Sequence, residues 1–519
     1  MPLPRRPCAR SWPVAACLAL VACISTEELT SPSPSTPWRP QGERSGLLLP
    51  PKPENAQQEE SLPRRFVSPG DPALPAEEEA IAIEPDHDYT LAELIDIAQR
   101  SNKQTRVAWE AARQAATTVG IALGAYLPDI TAQAIGGYQR ATAPFPKDLV
   151  PKGYIESNVA EVLPGITVKW LLFDFGGRSQ AVAAAEQLTV VANAEFTAVH
   201  QKLIFDVARA YFEVDAVDTQ LAAAREALTN AHRVEKAATS LFDRGVGTIV
   251  AQQQAHQQVA KNEFEVEQAI AARHRARLDL LDAMGLSPTV RLNTVSSADR
   301  PLPATLSTDV DAAMRLATTR RPDLLAQIAK LRAADAEILR ARSALYPTLG
   351  LEGNIHQNFA TLNVNGSDYS DVNKPIGGLL LRLTFPLYTG GIRERAVEVA
   401  RSRRDAAASE LQFAQDRAMH EAALACDQVQ TGIAEYRSAE ALNAASRVAF
   451  DSTLAAYENG VGTITDALIA QMALAQARAL VARVHAQVLS SAAALAFATG
   501  TLVSSDSPGI GKPLPAALP

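Results

Sequence analysis

The stretch Gly245-Val246-Gly247-Thr248-Ile249 decides the fold of this 519-residue chain, because it occurs twice. It returns, 215 residues later, as Gly460-Val461-Gly462-Thr463-Ile464. Glycine reaches the positive φ angles of tight turns at little cost, so each copy predicts a sharp reversal of the chain. The long period indicates an internal duplication and excludes a solenoid of short repeats.

Both turns lie in long segments without proline. No proline occurs from Gly165 to Ser287 or from Leu387 to Ser507. Proline costs about 3 kcal/mol inside a helix, so these segments can hold very long helices. Each is predicted to run from a glycine pair to its turn, over about 67 residues or roughly 100 Å. A helix of about 37 residues then returns from the turn, about 55 Å at the same rise.

A heptad-like spacing of apolar residues predicts that these helices pack as coiled coils. Along the first long helix the predicted seam is Leu203, Val207, Ala210, Val214, Val217, Leu221, Ala224 and Leu228. Along the second returning helix it is Leu468, Met472, Ala475, Ala479, Ala482, Ala486, Leu489 and Ala493.

Each half opens with a predicted helix that ends at Pro128 or Pro347. The capping boxes Thr90-x-x-Glu93 and Thr308-x-x-Asp311 mark their starts. Two runs of alternating apolar and polar residues follow in each half, near 130–138, 166–172, 349–355 and 379–385. This period of two predicts strands with one apolar face, long enough to cross a membrane at a tilt. Loops are predicted near Pro144–Asn158 and Asn363–Pro375.

Four such strands cannot close into a barrel by themselves, and an open strand edge is not viable in lipid. We therefore expect the chain to oligomerise. Three copies would supply twelve strands, an even number that suits an outer-membrane barrel. The long helices would project into the periplasm, which gives a mainly α fold with a β-barrel part.

The N-terminus has the pattern of an export signal. Arg5, Arg6 and Arg10 precede a short apolar run that ends in Leu20-Val21-Ala22-Cys23. This resembles a lipobox, so cleavage would leave a lipidated Cys23. An ordinary signal peptide with an incidental cysteine is the alternative. The predicted organisation is a signal peptide (1–22), a proline-rich tether (23–86), two structural repeats (87–299 and 300–503) and a disordered tail (504–519).

The order, spacing and duplication of these features resemble the TolC-like outer-membrane factor family, from about Tyr89 to Leu502. The resemblance implies a homotrimer with a twelve-stranded barrel in outer-membrane lipid and a helical tunnel in the periplasm. It also implies export of small molecules or proteins, together with an inner-membrane pump and a periplasmic adaptor. The lipobox is similar to that of the branch that serves drug or metal efflux pumps.

In similar proteins the helical turns meet the adaptor at the periplasmic tip. Carried over, the docking candidates are Gly245, Val246, Gly247, Thr248, Gly460, Val461, Gly462 and Thr463. The alternative is that these residues only reverse the helices.

Asp466 lies three residues after Thr463, and aspartates in this region of the family constrict the closed entrance. Three copies near a trimer axis would repel one another and attract cations. The alternative is a capping box formed with Thr463. Ala251 stands at the matching place of the first half, and Ile469 stands where a second aspartate often occurs, so a second ring is not expected.

Several function classes are excluded or disfavoured. A net charge of −8 without a basic stripe speaks against nucleic-acid binding. No nucleophile elbow, nucleotide fingerprint or HExxH motif is present, so we expect no enzyme, no bound metal and no cofactor beyond lipid on Cys23. Cys426 is predicted to be a buried packing residue. A periplasmic adaptor, a structural coiled-coil lipoprotein and a protein-secretion channel remain as alternatives.

Overall fold

A computed structural model describes residues 83–298, 300–306 and 309–502. Cys23, the signal peptide, most of the tether and the tail at 504–519 lie outside the described residues. The first half contains β1 (Asp88–Tyr89), α1 (Leu91–Ser101), α2 (Lys103–Gly124), β2 (Asp129–Pro144), β3 (Tyr154–Phe173), α3 (Gly177–Asp243), α4 (Ile249–Met284) and β4 (Asn293–Thr294). The second half contains α5 (Val310–Arg320), α6 (Pro322–Ser343), β5 (Thr348–Val364), β6 (Ser367–Thr384), α7 (Ile392–Glu458) and α8 (Ile464–Ala498).

The two long helical hairpins are confirmed. Helices α3 and α7 each contain 67 residues, and the returning helices α4 and α8 contain 36 and 35. Both long helices begin after a glycine with positive φ, Gly176 at 88° and Gly391 at 77°. The equal lengths follow from the duplication and place both turns at the same distance from the strands.

The opening segment of each half is two helices, so the prediction of one continuous helix was wrong. The capping box of Thr90 and Glu93 is present, but α1 ends at Ser101. Asn102 then caps α2, because its side chain accepts a hydrogen bond from the Gln104 amide at 2.8 Å. In the second half Pro322 begins α6 and forces the residue before it into an extended conformation.

The predicted capping box of Thr308 falls on a residue outside the described ones. Helix α5 begins at Val310, and its N-cap is Asp309, without a side-chain cap hydrogen bond. The two halves therefore share the order of their helices and long strands, but they differ in how the short helices begin, and the two-residue strands β1 and β4 are described in the first half only.

The four long strands form one antiparallel sheet in the order β2-β3-β5-β6. The predicted second loop, Asn363–Pro375, is mostly strand. Asn365 and Gly366, with φ of 54° and 85°, form a two-residue hairpin turn of the kind favoured by Asn-Gly. The connection between β2 and β3 is longer, at residues 145–153. This difference in turn length is a main source of the shifted spacing between the halves.

The seam predicted for α3 holds over its first part, where Leu203, Val207 and Val214 are buried. In α8 the buried line near the turn is shifted by one residue. Ile464, Ala467, Gln471 and Leu474 are buried there, whereas Leu468, Met472 and Ala475 are only half-buried. A straight α-helix departs from a strict seven-residue repeat by about 20° per heptad, or about 80° over four heptads. Neighbouring residues are about 100° apart around the helix axis, so this departure moves the buried line by nearly one residue.

Helix α8 is, among the described residues, the one helix whose length and apolar composition would suit a membrane span. Half of its most apolar window is buried inside the protein, at 50%. Its buried residues join core clusters with residues of α3 and α7, including Val207, Val234 and Phe450. Its apolar character is explained by this packing.

The glycines that end α4 and α8 pack on the breaks between the short helices. A Cβ on Gly285 would lie 3.0 Å from Asn102 Cα. One on Gly500 would lie 2.8 Å from the carbonyl carbon and oxygen of Arg320. Arg321, at the second break, donates hydrogen bonds to Asp323 at 3.0 and 2.7 Å and to Glu421 at 2.6 Å. These contacts tie the short helices to the long hairpins at equivalent places in both halves.

Candidate functional site

One face of the sheet is apolar and exposed to the surroundings. Its exposed side chains include Ile130, Tyr138, Ile166, Ile355, Leu379, Leu381 and Leu383. The strand register places them on the same face, since Ile130 pairs with Val168, and Leu351 with Leu381. An apolar patch of this extent is unusual for a protein surface in water and fits contact with lipid.

The opposite face of the sheet is largely polar. Arg382 donates two hydrogen bonds to the carboxylate of Glu352, at 2.8 and 2.6 Å. Lys169 pairs with Glu352 in the strand register, and Thr167 pairs with Asn354. This is the alternation of a membrane barrel, whose outer face meets lipid and whose inner face meets water.

Strands β2 and β6 each have a neighbour on one side only within the described chain. Such an edge presents unpaired amide and carbonyl groups, which hydrocarbon cannot satisfy. Aromatic side chains gather at the end of the sheet nearest the helices. Trp170 donates from Nε1 to the Tyr126 carbonyl at 2.8 Å, and Phe175 stacks on Tyr346 at 5.0 Å between centroids. Aromatic girdles of this kind mark a membrane interface.

Arg178 holds the joint between the sheet and α3. Its guanidinium donates to the carbonyls of Leu172 at 3.1 Å, Ala125 at 3.3 Å and Leu171, and it lies 4.7 Å from the Tyr126 ring centre. It also forms an ion pair with Asp174 at 3.3 Å. In the second half Arg393 donates to the equivalent carbonyl of Ala344. Sequence reasoning missed this role, although an arginine stands just after each glycine pair.

The two predicted turns close the hairpins in the same way. Gly245 and Gly460 have φ of 76° and 77°. In the first turn the amides of Val246 and Gly247 donate to the Leu241 carbonyl at 3.1 and 2.9 Å. The side chains of Val246 and Val461 stand out from the turns, 73% and 82% exposed. Each turn thus presents an apolar side chain to a partner while its glycines shape the backbone.

A cap begins the returning helix at each turn. The Thr248 hydroxyl accepts a hydrogen bond from the Ala251 amide at 3.1 Å. The Thr463 hydroxyl accepts from the Asp466 amide at 3.2 Å and donates to the Asp466 carboxylate at 2.7 Å. The N-cap part of the predicted capping box is confirmed, since the Thr463 hydroxyl caps α8 at the Asp466 amide. The gate reading stays a prediction, because Asp466 is exposed and one chain does not place three copies together.

The hairpin also brings together residues that are distant in sequence. His256 on α4 donates from Nδ1 to Glu235 on α3 at 2.9 Å, and His232 donates from Nδ1 to the other carboxylate oxygen at 3.3 Å. The hydrogen bond from His256 lowers the pKa of Glu235, burial opposes it, and the bond from His232 adds to the lowering. A search for histidines at i, i+4 spacing overlooks this pair, because only the turn makes His256 a neighbour.

Metal-binding clusters are absent from the part of the chain that the structure describes. No group of three or more His, Cys, Asp or Glu side chains there is arranged to hold a metal ion. Cys426 is buried, as predicted, and its burial raises the pKa of the thiol. The features that bear on function are therefore the sheet faces and the hairpin turns.

Replacing Gly247 by alanine should distort the first turn more than the same change at Gly462 distorts the second. A Cβ at 247 would lie 2.7 Å from the Phe242 amide nitrogen, whereas one at 462 would meet nothing closer than 3.1 Å. Overpacking of this kind costs about 1–3 kcal/mol. Hydrogen exchange at the two turns measures the effect. Equal protection in both variants would contradict the expectation.

The family model of outer membrane efflux proteins matches two segments of the chain, residues 94–286 and 313–501. Protein CyaE of Bordetella pertussis is 28% identical over 436 residues, which cover 80% of this chain and 85% of the relative. Outer membrane protein OprJ of Pseudomonas aeruginosa is 27% identical, with 72% and 76% covered. Cation efflux system protein CusC of Escherichia coli K12 is 26% identical, with 48% and 54% covered.

Solved structures share the fold. The CmeC outer membrane channel of Campylobacter jejuni superposes with a TM-score of 0.69 at 18% identity, covering 84% of this chain and 92% of that one. The outer-membrane channel OprN gives 0.68 at 20% identity, covering 79% and 90%. The duplicated halves, the lipid-facing sheet and these matches lead to one conclusion: this outer-membrane protein belongs to the outer membrane efflux protein family.

Proposed function

We propose that three copies of this chain form the exit channel of a tripartite export system. The observation that carries the proposal is the open four-stranded sheet with one apolar and one polar face. Closing it with two further copies gives twelve strands, removes every edge and lines the interior with polar groups. The hairpins would then surround a water-filled passage in the periplasm.

The proposed cargo is small molecules, namely drugs, toxic compounds or metal ions. The similarity to a protein named for cation efflux supports this class. Protein secretion is the alternative. The proposed partners are an inner-membrane pump, a periplasmic adaptor and outer-membrane lipid, which an acyl group on Cys23 would also enter.

The turns are the proposed docking surface for the adaptor. Val246 and Val461 are the most exposed large apolar side chains there, in a part of the protein that water would surround. Adaptor helices that cover these side chains would remove that apolar surface from water, which favours association.

Purification from outer membranes in mild detergent tests the channel. We expect a trimer that dissociates only on heating, and a soluble monomer would overturn the proposal. The cargo is tested in a host that lacks its own exit channels and is supplied with a candidate adaptor and pump from the source organism. Accumulation of a fluorescent dye and of metal ions should fall when the chain is added. Unchanged accumulation, together with an exported protein in the medium, would favour secretion.

Loss of docking should follow from Val246→Asp combined with Val461→Asp. A charge in place of each apolar side chain would have to be desolvated at the adaptor contact, which costs free energy. We expect the double variant to form trimers but not to lower dye accumulation. Ile249→Asp, a change of an exposed residue one turn away, is the comparison variant. Full transport by the double variant would remove the docking role of these residues.

A further inference from the structure

The trio of His232, Glu235 and His256 lies close to the first turn. Glu235 is ten residues before Gly245, which corresponds to about 15 Å along α3. One carboxylate receives hydrogen bonds from an imidazole on its own helix and from one on the opposite helix, at 3.3 and 2.9 Å. The bond from His256 therefore fastens the two arms of the hairpin together near its tip.

The duplicated hairpin provides an internal comparison. The residues 215 positions later are Arg447, Phe450 and Gln471, none of which titrates between pH 5 and 8. Phe450 is 1% exposed and Gln471 is 2% exposed. Gln471 donates from Nε2 to the Ala227 carbonyl at 3.2 Å. Ala227 is on α3, so this bond joins the second hairpin to the first. The arms of the first hairpin are joined by the buried Asn262, which donates to the same carbonyl at 3.0 Å, and nearer the turn by an exposed group that can take up protons.

We propose that His232, Glu235 and His256 form a proton-sensitive clasp that stiffens the first hairpin, and not the second, as the pH falls through the histidine range. When an imidazole of the trio takes up a proton, its hydrogen bond to the Glu235 carboxylate becomes charge-assisted. The tips would differ in mobility in mildly acidic medium and resemble each other more closely in alkaline medium.

The acid limit of the clasp follows from Glu235. Its pKa is lowered in the folded chain, so its stabilising effect is present above the ordinary carboxyl pKa and is lost as the pH falls through the lowered value. The clasp is therefore strongest between the carboxyl and imidazole ranges. The hydrogen bonds persist at higher pH, but they join a carboxylate to neutral imidazoles and are weaker.

Other charged groups nearby leave this arrangement unopposed. On α3, Lys236 follows Glu235, and Arg233 donates to Asn230 at 3.4 Å while facing the Phe450 ring. On α4, Lys261 forms an ion pair with Glu265 at 3.8 Å. On α8, Arg478 pairs with Glu226 at 2.7 Å. The two imidazoles and burial account for the shift of the Glu235 pKa.

Hydrogen exchange of the intact trimer at pH 5.5 and pH 8.0 tests the clasp, with peptides from both turns followed in one sample. The ratio of protection at the first turn to that at the second cancels most of the pH dependence of the exchange chemistry. We expect this ratio to rise about two- to fivefold at pH 5.5, as for an exposed ion pair. An unchanged ratio would overturn the proposal.

Two variants sharpen the test. Glu235→Gln keeps the size and an acceptor oxygen but removes the charge, so the ratio should no longer depend on pH. His274→Gln, which changes another exposed histidine of α4, should behave as the parent. If Glu235→Gln retained the full effect, the clasp would be wrong. The measurement takes the trimer from the proposed function but requires neither partner nor transport, so an unchanged ratio and a failure of transport are distinguishable.

Discussion

Replacing Gly500 by alanine should destabilise the helical body far more than replacing Gly390 by alanine. The two glycines have nearly the same φ, 68° and 67°, so an added side chain is strained equally at both. They differ in the space around them. A Cβ at 500 would lie 2.8 Å from the carbonyl carbon and oxygen of Arg320, whereas one at 390 would have nothing within 4 Å.

The expected costs differ because only one substitution moves the backbone of another element. A left-handed conformation costs about 1–2 kcal/mol for a residue with a Cβ, and this applies to both variants. Forcing atoms into a filled site adds about 1–3 kcal/mol at Gly500 alone. The midpoint of thermal unfolding, followed by circular dichroism, should therefore fall much further for Gly500→Ala.

The first half contains the equivalent contact, between the glycine after α4 and the break between the two short helices. Gly285→Ala would place its Cβ 3.0 Å from Asn102 Cα, a slightly looser approach at a φ of 70°. Its midpoint should lie between those of the other two variants. If all three variants unfolded at one temperature, strain would be the whole effect and the contact with the short helices would not contribute.

Much of the fold was predictable because the sequence signals that define it occur in both halves. Glycine pairs, proline-free segments and the Gly-Val-Gly-Thr turns fixed the long hairpins to within one or two residues, since breakers act locally. The alternation of apolar and polar residues identified all four strands, because this pattern is also local in the sequence. The break at Asn102 was not predictable in this way, because a single asparagine in a helical pattern is often tolerated.

The misplaced loop shows a different limit. Asn365-Gly366 is a strong hairpin signal, but the loop was predicted over the whole of Asn363–Pro375 because turn residues recur along it. In the structure Ser367 and the residues after it pair with β5, for example Asp371 with Thr361. Polar residues beyond a membrane can continue a strand, since pairing with a neighbouring strand satisfies their backbone wherever the side chains lie.

The candidate site also has a part that was predictable from sequence and a part that was not. The turn residues were predicted because the motif is contiguous. The roles of Arg178 and of the pair His232 and His256 were missed, because each depends on a contact that only the folded chain creates. Contacts across a hairpin are set by the position of the turn and the register of two helices, and pattern arguments fix neither to one residue.

The charge of Asp466 should narrow the entrance of the trimer and make it cation-selective. Its carboxylate is exposed and one turn beyond Thr463, and the first hairpin has buried Ala251 at the matching place. In the proposed trimer three such carboxylates would lie around one axis, where they repel one another and attract cations into the entrance. Asp466→Ala should therefore raise single-channel conductance severalfold in planar bilayers.

The cap complicates this test, because Asp466→Ala also removes the bond between the carboxylate and the Thr463 hydroxyl. The N-cap bond from the residue 466 amide to the Thr463 hydroxyl is kept in this variant, but losing the carboxylate that orients the hydroxyl can still fray the helix without any effect of charge. Asp466→Asn keeps an oxygen that accepts this bond and removes the charge. Thr463→Ala removes the cap and keeps the charge of Asp466. Thr248→Ala removes the cap of the first turn, where no acidic residue stands at the matching place.

The reversal potential in a salt gradient separates the two roles. If the charge acts as a gate, Asp466→Asn should raise conductance and lose cation selectivity, whereas Thr463→Ala should keep its selectivity. If only the bond between the Thr463 and Asp466 side chains matters, Thr463→Ala and Asp466→Ala should have similar conductance. Asp466→Asn should then behave as the parent. Unchanged conductance in Asp466→Ala would remove the gate, because this change deletes both the charge and its hydrogen bond.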